Sequence, residues 1–407
     1  MSDTRRSICL VSGAMVAGNL RLQPWRYLHE VARQLAARGH AVTLLSDGAG
    51  AAPAPEDLQG VAVRRVRAIG GPRWRGEAEL RSAIEQARPD VVLWHVGLTS
   101  FLHQRPVWLN DIPAAGIFTS PVYRPRELAR LGLGRIVAGY RLSAAHLLGA
   151  LVPRRLIRQS LRAGALRGLV VQTDATRRRL IEDGLPPDQI SLIPPGIDDA
   201  WGAHADDGRL RGELGYRPSD TVVLYFGSPA PLRGLHALIR ATEIARQLDP
   251  SLKLLVLSRR RAGELIREDA GLRRLLSGAV GRHVRVVRGF LAEQELVRHV
   301  AAGDVVALPF ELIPSDAPLS LLEARALGKP VVTTALGCLA ELVAGGAGYL
   351  AQPGDPHSLA RALLRADADL QDRRILGIAS GAAHIKRPQA RSWRQVGLEW
   401  SNLVQSL

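Results

Sequence analysis

Short buried strands alternate with amphipathic helices along the first half of the chain, and this alternation restricts the fold more than any other feature. Strands are predicted at residues 8–12, 41–45, 90–94, 115–118 and 169–172. After the first strand, apolar side chains from Trp25 to Ala36 recur at helical spacing, and Gly39 ends that helix. A later helix is predicted at 175–182. Strands joined through helices lie parallel, so we expect a parallel sheet covered on both faces.

The second half repeats this design after a polar linker at residues 201–208. Its strands are predicted at residues 222–226, 252–257, 284–287, 304–308 and 331–334, each before a helical pattern. A chain of 407 residues is long enough for two domains. We therefore predict an α/β protein with two doubly wound, Rossmann-like domains, at residues 1–200 and 209–390, that face each other across a cleft. Ligands of such sheets bind beyond the carboxyl ends of the strands.

Residues 391–407 form a separate segment, and its sequence pattern predicts an amphipathic helix. Its apolar side chains, at Trp393, Val396, Trp400 and Leu403, lie three or four positions apart. Such a helix needs a partner surface.

Composition excludes several classes of protein. Apolar residues make up 46% of the chain, which excludes disorder, and no uncharged apolar window of about 18 residues predicts a membrane span. The start of the chain does not have the pattern of a signal peptide, and the two cysteines, Cys9 and Cys338, form neither a disulfide framework nor a zinc pattern. These features predict a cytoplasmic protein.

Positive charge is concentrated in one stretch. The net charge is +16, and residues 121–170 contain ten arginines against one acidic residue, Glu127. Apolar stretches at 136–140 and 147–152 separate these charges. This pattern is typical of helices that lie on an anionic membrane surface, where the protein could meet a lipid-linked acceptor. A solvated helix pair or an oligomer contact would give the same pattern.

Residues 309–341 contain the most informative local pattern. A strand ends near Pro309, and a helix is predicted to end at Ala326. Ser315 and Asp316, in the loop between them, are residue types that commonly cap the start of a helix. A helix start at the carboxyl end of a strand is an anion site, so the backbone N–H groups of Leu319 and Ser320 should point at a negatively charged ligand. One turn later, Glu323 could accept the two hydroxyls of a ribose.

Three further motifs accompany that helix. Residues 225–235 read YFGSPAPLRGL, a strand, loop and helix start in which Arg233 can pair with a phosphate. Residues 194–198 read PPGID, and residues 323–332 read EARALGKPVV. In this order and spacing, the motifs resemble the retaining GT-B glycosyltransferases of family four, which include sucrose synthases and bacterial mannosyltransferases. The matching residues run from Gln172 to Glu341, with the first strand and helix and the terminal helix.

The resemblance implies a fold and a set of roles. The terminal helix would return to pack on the N-terminal domain. Arg233 would hold the diphosphate of a nucleotide-sugar donor with the amides of Leu319 and Ser320, and Glu323 would bind its ribose. The base would rest at Phe290 and Leu291, the loop with Gly13 and Gly18 would close over the diphosphate, and His95 would lie near the transferred sugar. Alternatively, His95 is a packed residue at the end of a strand.

The chain departs from the family pattern at two points. Ser228 stands in the donor site where the family commonly has an arginine. The family's paired carboxylates, eight residues apart, are incomplete, because Ser315 occupies the position eight residues before Glu323. We expect Asp316, or amides of the loop 315–319, to bind the sugar instead, which would give a differently shaped pocket for an uncommon or deoxygenated donor.

Lookalike motifs do not change this interpretation. The glycines at 48–50 and 13–18 lack the context of a dinucleotide fingerprint or a P-loop. Asp367 and Asp369 imitate a metal-binding pair, but they lie in a polar helix with no strand before it, so a solvated face is expected. We therefore predict no metal and no cofactor beyond the donor substrate.

Three functions remain open from the sequence. The first is an active glycosyltransferase. The second is a catalytically weak relative that acts as a partner or regulatory subunit of another enzyme, which the missing carboxylate would permit. The third is a nucleotide-sugar hydrolase or epimerase, or a nucleic-acid binder that uses the arginine stretch, although we expect no nucleic acid as a partner.

Overall fold

The computed structural model describes residues 4–47, 58–70, 77–103, 111–132, 144–203, 208–230, 232–259, 274–275, 283–344, 348–376 and 391–407. Strands of the first sheet are β1 (Ser7–Val11), β2 (Ala41–Ser46), β3 (Val61–Arg65), β4 (Val91–Val96), β5 (Ala114–Phe118), β6 (Gly168–Val171) and β7 (Ile190–Leu192). Those of the second are β8 (Thr221–Gly227), β9 (Leu252–Ser258), β10 (Val284–Arg288), β11 (Val305–Leu308), β12 (Val331–Thr334) and β13 (Gly348–Ala351).

The helices of the first half and the linker are α1 (Trp25–Ala37), α2 (Glu77–Ala87), α3 (Ser100–His103), α4 (Pro125–Ala129), α5 (144–151), α6 (Arg154–Arg162), α7 (Asp174–Glu182), α8 (Ala200–Ala203) and α9 (Arg209–Glu213). Those of the second half are α10 (Leu235–Ala245), α11 (Glu293–Ala302), α12 (Leu319–Ala326), α13 (Leu339–Val343), α14 (Pro356–Ile375) and α15 (Trp393–Ser406). In the described residues, no helix has both the length and the apolar character that crossing a bilayer requires.

Both sheets are parallel, and both have the order of a doubly wound fold. The first sheet has seven strands in the order β3-β2-β1-β4-β5-β6-β7, and the second has six in the order β10-β9-β8-β11-β12-β13. The predicted fold is therefore confirmed, and each predicted strand lies within two residues of an observed one. The sequence prediction missed β3, β7 and β13. In the second sheet the strand order reverses between β8 and β11, which is where ligands of such sheets bind.

Alternating side chains cover the two faces of each sheet, as parallel strands require. In β1, Cys9 and Val11 pack into one buried cluster while Ile8 and Leu10 pack into another. In β8, Val223 and Tyr225 alternate in the same way with Val222 and Leu224.

The terminal helix α15 packs on α1 of the first domain, as predicted. Trp393 and Trp400 are buried against Tyr27, and the indole N–H of Trp400 donates a 3.0 Å hydrogen bond to the Tyr27 hydroxyl. The chain returns from the second domain to the first beside Gly196, where an added Cβ would lie 2.6 Å from the backbone nitrogen of Trp393. The two sheets fall inside the predicted domain limits, whose exact boundaries stay a prediction.

One prediction about α14 is wrong. Asp367 was expected on a solvated face, but it is buried and accepts a 2.6 Å hydrogen bond from the Thr221 hydroxyl at the start of β8. Asp369 accepts a hydrogen bond from the Tyr349 hydroxyl. Both carboxylates therefore fix α14 against the second sheet.

Candidate functional site

The two domains touch through loops at the carboxyl ends of their strands. The Tyr123 hydroxyl accepts a 2.8 Å hydrogen bond from the backbone N–H of Ile313. The Glu341 carboxylate accepts the backbone N–H groups of Asp174 and Ala175, at 3.1 and 2.7 Å, so the second domain caps the start of α7 in the first. These hydrogen bonds join the two domains directly.

The cleft has a volume of about 620 Å³ and is lined from both domains. The first domain contributes residues 21–26, Ala145, residues 196–198 and Trp393. The second contributes the carboxyl ends of β8, β9 and β10, the loop after β11 and the first turns of α12. This is the place that the strand order predicts for a ligand, and its volume fits a small molecule of substrate size.

The loop that carries Arg233 is held by backbone contacts. The carbonyl of Leu232 accepts the N–H groups of Glu311 and Leu312, at 2.9 and 3.1 Å, which ties this loop to the one after β11. The Arg233 guanidinium lies over the Phe310 ring, 5.6 Å from its centroid, and the side chain lines the cleft. Arg233 is therefore a positioned cation in the cleft, and its pairing with a phosphate stays a prediction.

The start of α12 faces the cleft through Leu319 and Ser320. Their backbone N–H groups belong to the first turn, which a helix does not use for its own hydrogen bonds. Glu323 lines the cleft one turn further on. Burial raises the pKa of Glu323, and the positive charge of Arg259 opposes this effect. The resulting pKa is about 7. The cleft thus brings together the first turn of a helix, a guanidinium and a carboxyl group with a raised pKa.

The predicted base position lies on the same wall. Phe290 and Leu291 line the cleft after β10, and Phe290 is 46% exposed although it is a large apolar side chain. The guanidinium of Arg259 lies over its ring, 5.7 Å from the centroid. An exposed aromatic ring in a cleft is a surface on which a flat base can stack.

Several charged residues of the cleft were not predicted. Arg21, Arg26, Asp198, Arg259 and Glu293 all line it. Arg26 donates a 2.6 Å hydrogen bond to Asp198, and burial together with the nearby charge of Asp198 raises the pKa of Glu293. Arg259 directly follows β9, and Glu293 follows the loop after β10. The rule that ligands bind at the carboxyl ends of strands could have identified both.

His95 lies at the predicted strand end, but its ring is engaged within the first domain. Its Nδ1 lies 3.0 Å from the Ser12 hydroxyl oxygen, and its Nε2 lies 2.9 Å from that of Thr119. Burial lowers the pKa of His95 to about 4, so the ring is neutral at physiological pH. His95 is not among the residues that line the cleft. Contact with a transferred sugar stays a prediction for this residue.

The glycine loop contacts Trp25, a residue of the cleft wall. The carbonyl of Gly13 accepts a 2.9 Å hydrogen bond from the indole N–H of Trp25, which does line the cleft. An added Cβ at Gly18 would meet no atom within 4 Å. Neither glycine lines the cleft, and residues 21–26 do so instead. Closure of the glycine loop over a diphosphate stays a prediction.

Ser315 and Asp316 have different surroundings. The Ser315 side chain lines the cleft, and its buried hydroxyl has no hydrogen-bond partner among the described residues. Asp316 accepts hydrogen bonds from the Thr176 and Thr173 hydroxyls, at 2.5 and 2.8 Å, and from the backbone N–H of Gln172 at 3.2 Å. The predicted N-cap is wrong for both residues, because Pro318 precedes the first turn of α12 and no side chain caps it. Asp316 joins the two domains and does not line the cleft.

We expect Asp316→Ala to lower the free energy of unfolding by about 2 to 3 kcal/mol, because it leaves three buried donors without an acceptor. Nucleotide affinity should change little, since Asp316 lies outside the cleft wall. Chemical denaturation and calorimetric titration measure the two effects. Asp188, an exposed aspartate of the first domain, is the control, and Asp188→Ala should stay within about 0.5 kcal/mol of the parent. Unchanged stability in Asp316→Ala would contradict the bridging role.

In the ranges that the structure describes, no group of three or more histidine, cysteine, aspartate or glutamate side chains is arranged to hold a metal ion. The positively charged side chains that line the cleft are arginines. The prediction of no metal and no cofactor stays a prediction.

Comparison with protein families gives two matches, one in each half of the chain. Residues 25–201 match the family described as Glycosyltransferase Family 4, and residues 220–369 match Glycosyl transferases group 1. The chain is 29% identical, over 246 residues, to a D-inositol 3-phosphate glycosyltransferase of Nocardia farcinica, covering 59% of this chain and 51% of that protein. It is 28% identical, over 222 residues, to a GDP-mannose-dependent monoacylated alpha-(1-6)-phosphatidylinositol monomannoside mannosyltransferase of Corynebacterium glutamicum, covering 53% and 55%. The chain spans about half the length of the curated relatives it matches.

Solved structures show the same fold over the whole chain. Anabaena HepE, in complex with UDP and glucose, matches with a TM-score of 0.69 at 17% identity and covers 99% of this chain and 100% of its own. Sucrose-phosphate synthase from Thermosynechococcus elongatus matches with a TM-score of 0.70 at 19% identity and covers 99% of both chains. At these identities the likeness concerns the fold alone.

Proposed function

Because this chain belongs to the GT-B glycosyltransferases of family four, we propose that it transfers a sugar from a nucleoside-diphosphate sugar to an acceptor hydroxyl with retention of configuration. One observation carries the proposal. Arg233, the first turn of α12, Glu323 and Phe290 line one cleft at the strand-order reversal of the second domain. These groups match, in kind, the diphosphate, ribose and base of such a donor.

The diphosphate is the leaving group, and its developing charge must be stabilised. Arg233 supplies a positive charge, and the amides of Leu319 and Ser320 supply donors at the positive end of a helix dipole. Donors that are fixed before the reaction stabilise such charge without reorganisation. We propose that these groups do what a divalent cation does elsewhere, with the donor as substrate and no separate cofactor.

The nucleoside would lie further along the same wall. An ionised Glu323 accepts the two ribose hydroxyls, and the exposed ring of Phe290 with Leu291 gives an apolar surface for the base. UDP occurs in the HepE complex and GDP-mannose in the name of the corynebacterial relative. A panel of nucleotides is therefore needed to test which base this chain binds.

The sugar would be held near Ser315, whose hydroxyl has no partner in the described part of the cleft. A retaining transfer through a front-face, ion-pair-like transition state needs the hydroxyls of the sugar fixed while the diphosphate departs. A serine hydroxyl is shorter than a glutamate side chain and uncharged, so we propose a pocket for an uncommon or deoxygenated sugar. The acceptor hydroxyl would enter from the first domain, which forms the opposite side of the cleft.

Thermal denaturation with a panel of nucleoside diphosphates at millimolar concentration tests the function. A ligand of micromolar affinity at 1,000 times its dissociation constant stabilises the fold by about 4 kcal/mol. Stabilisation by one nucleotide, followed by transfer from its sugar conjugates, supports a transferase. Stabilisation without turnover of any donor supports the weak relative that acts as a partner protein, and the absence of both overturns the proposal.

Nucleotide affinity is expected to rise from pH 6 to pH 8 more steeply in the parent than in Glu323→Gln. The raised pKa of Glu323, about 7, means that its carboxyl group is protonated at the lower pH and ionised at the higher one. The ionised form can accept one ribose hydroxyl on each oxygen, whereas the protonated form uses one oxygen as a donor. Calorimetric titration of the parent and the variant at each pH separates this effect from the ionisation of the nucleotide phosphate, which both proteins share. Parallel pH profiles would contradict the ribose role.

A membrane contact of the first domain is the second part of the proposal. On α5, Leu148 and Leu151 are 56% and 69% exposed, and Arg155 and Arg162 on the following helix are exposed as well. The apolar stretch at 136–140 lies outside the described residues. Apolar side chains among arginines bind anionic lipid surfaces, so we propose a lipid-linked acceptor.

Flotation with anionic vesicles is expected to carry the protein upward at low salt, and vesicles of neutral lipid are expected not to. Replacing both leucines with serine should abolish flotation, since it removes the apolar contact and keeps the charge. Binding that persists in this double variant, or its absence at every salt concentration, would remove the membrane contact and favour a solvated surface or an oligomer interface.

A further inference from the structure

The second cation of the donor site is missing from the loop after β8, where Ser228 stands. Ser228 lines the cleft, and its hydroxyl accepts the N–H of Ala230 at 3.3 Å, so it contributes no charge. Arg233 therefore remains the cation of that loop. A diphosphate has charge on two phosphates, and a single guanidinium matches it less well than two.

The neighbouring strand brings an arginine to the same place. β8 and β9 are parallel and in register, with Gly227 opposite Ser258, so the residues that follow them, Ser228 and Arg259, leave the sheet side by side. The backbone N–H of Arg259 donates a 2.9 Å hydrogen bond to the carbonyl of Gly227, which fixes the start of its side chain beside Ser228.

The Arg259 side chain extends into the cleft. It lines the cleft together with Arg233 and Ser228, and its guanidinium lies over the Phe290 ring, 5.7 Å from the centroid. Burial raises the pKa of Glu323 and the charge of Arg259 lowers it, and both residues line the same cleft. The guanidinium charge is thus held among the residues to which the base, the ribose and the diphosphate have been assigned.

We propose that Arg259 is the second diphosphate-binding residue of this chain, and that it replaces, from the end of β9, the positive charge that Ser228 does not supply. The inference rests on the proposed function and adds to it a residue that neither the sequence motifs nor the family pattern identified. Arg233 and Arg259 would then grip the two phosphates from adjacent strand ends, and the first turn of α12 would complete the site.

The test compares a nucleoside diphosphate with its nucleoside. We expect Arg259→Gln to weaken binding of the diphosphate about 10- to 100-fold, the loss of one charge-assisted contact. Binding of the nucleoside, measured by ligand-observed NMR, should stay within about twofold because it lacks the phosphates. Arg240→Gln, at an exposed position on α10, is the matched control and should change neither affinity.

A second variant tests the position of the charge. In Ser228→Arg combined with Arg259→Gln, an arginine returns to the loop after β8, and most of the lost diphosphate affinity should return. Equal losses for nucleoside and diphosphate in Arg259→Gln would overturn the inference, since the residue would then act through Phe290 or Glu323. A double variant no better than Arg259→Gln would overturn the replacement of Ser228. If the parent binds no nucleoside diphosphate at all, the proposed function itself fails, and that result is distinct from both.

Discussion

Arg233→Ala is expected to lower the rate of sugar transfer about 100- to 1,000-fold at saturating donor, while the protein still folds. The guanidinium lines the cleft and is fixed over Phe310, so alanine removes a positioned charge from the leaving diphosphate. Loss of one preorganised donor at such a position costs about 2.7 to 4 kcal/mol of transition-state stabilisation. Folding should persist because the loop is held by backbone hydrogen bonds to the Leu232 carbonyl, which the substitution leaves in place.

Turnover and melting temperature measured on the same preparation check this result. Arg240→Ala, on the exposed face of α10, serves as the control for loss of an arginine and should keep the parent rate. Near-normal turnover of Arg233→Ala with saturating donor would mean that the diphosphate lies elsewhere. A loss confined to KM would mean that Arg233 binds donor and transition state equally.

Gly234→Ala is expected to lower the free energy of unfolding by about 4 kcal/mol or more, because its added Cβ makes the closest approach among the described glycines. Gly234 has φ of +79°, which favours glycine. A Cβ built there lies 1.8 Å from the carbonyl oxygen of Pro309, a backbone atom that cannot swing aside. The loop after β8 and the loop after β11 would have to separate, and Arg233 would move with them.

Gly212→Ala is the matched control for this substitution. Gly212 lies in α9, and an added Cβ there meets no atom within 4 Å. Alanine favours the helix by about 0.5 to 1 kcal/mol over glycine, so the control should be neutral or slightly more stable. Chemical denaturation compares the three proteins. Equal stability of Gly234→Ala and the parent would show that the two loops move apart easily.

Most of the fold could be predicted because parallel strands buried on both faces are continuous apolar runs, as in β8 and β9. The strands that were missed lack this signal. β3 lies at the edge of its sheet and is largely exposed, with two arginines at its end. β7 has three residues, and β13 is an edge strand whose residues are mostly half-buried or exposed.

The candidate site was predicted less completely, because its residues meet through the topology and not through local spacing. Leu319, Ser320 and Glu323 could be found since they belong to one helix start. Asp316 looked like part of that helix start, but its partners lie about 140 positions away in the first domain, and nothing near it in the sequence indicates them. Arg259 required the register of β8 and β9, which places it beside Ser228.

The return of α15 to the first domain has a consequence for how the protein is made. Tyr27 and Trp400, which touch in the native core, are 373 positions apart. At about 5 to 20 residues per second, a ribosome needs about 20 to 75 s between the two. During that interval the whole second domain is synthesised while the apolar side of α1 still lacks its partner. Newly made chains should therefore expose this surface to chaperones until the last helix emerges, and the first domain should complete its folding after the second.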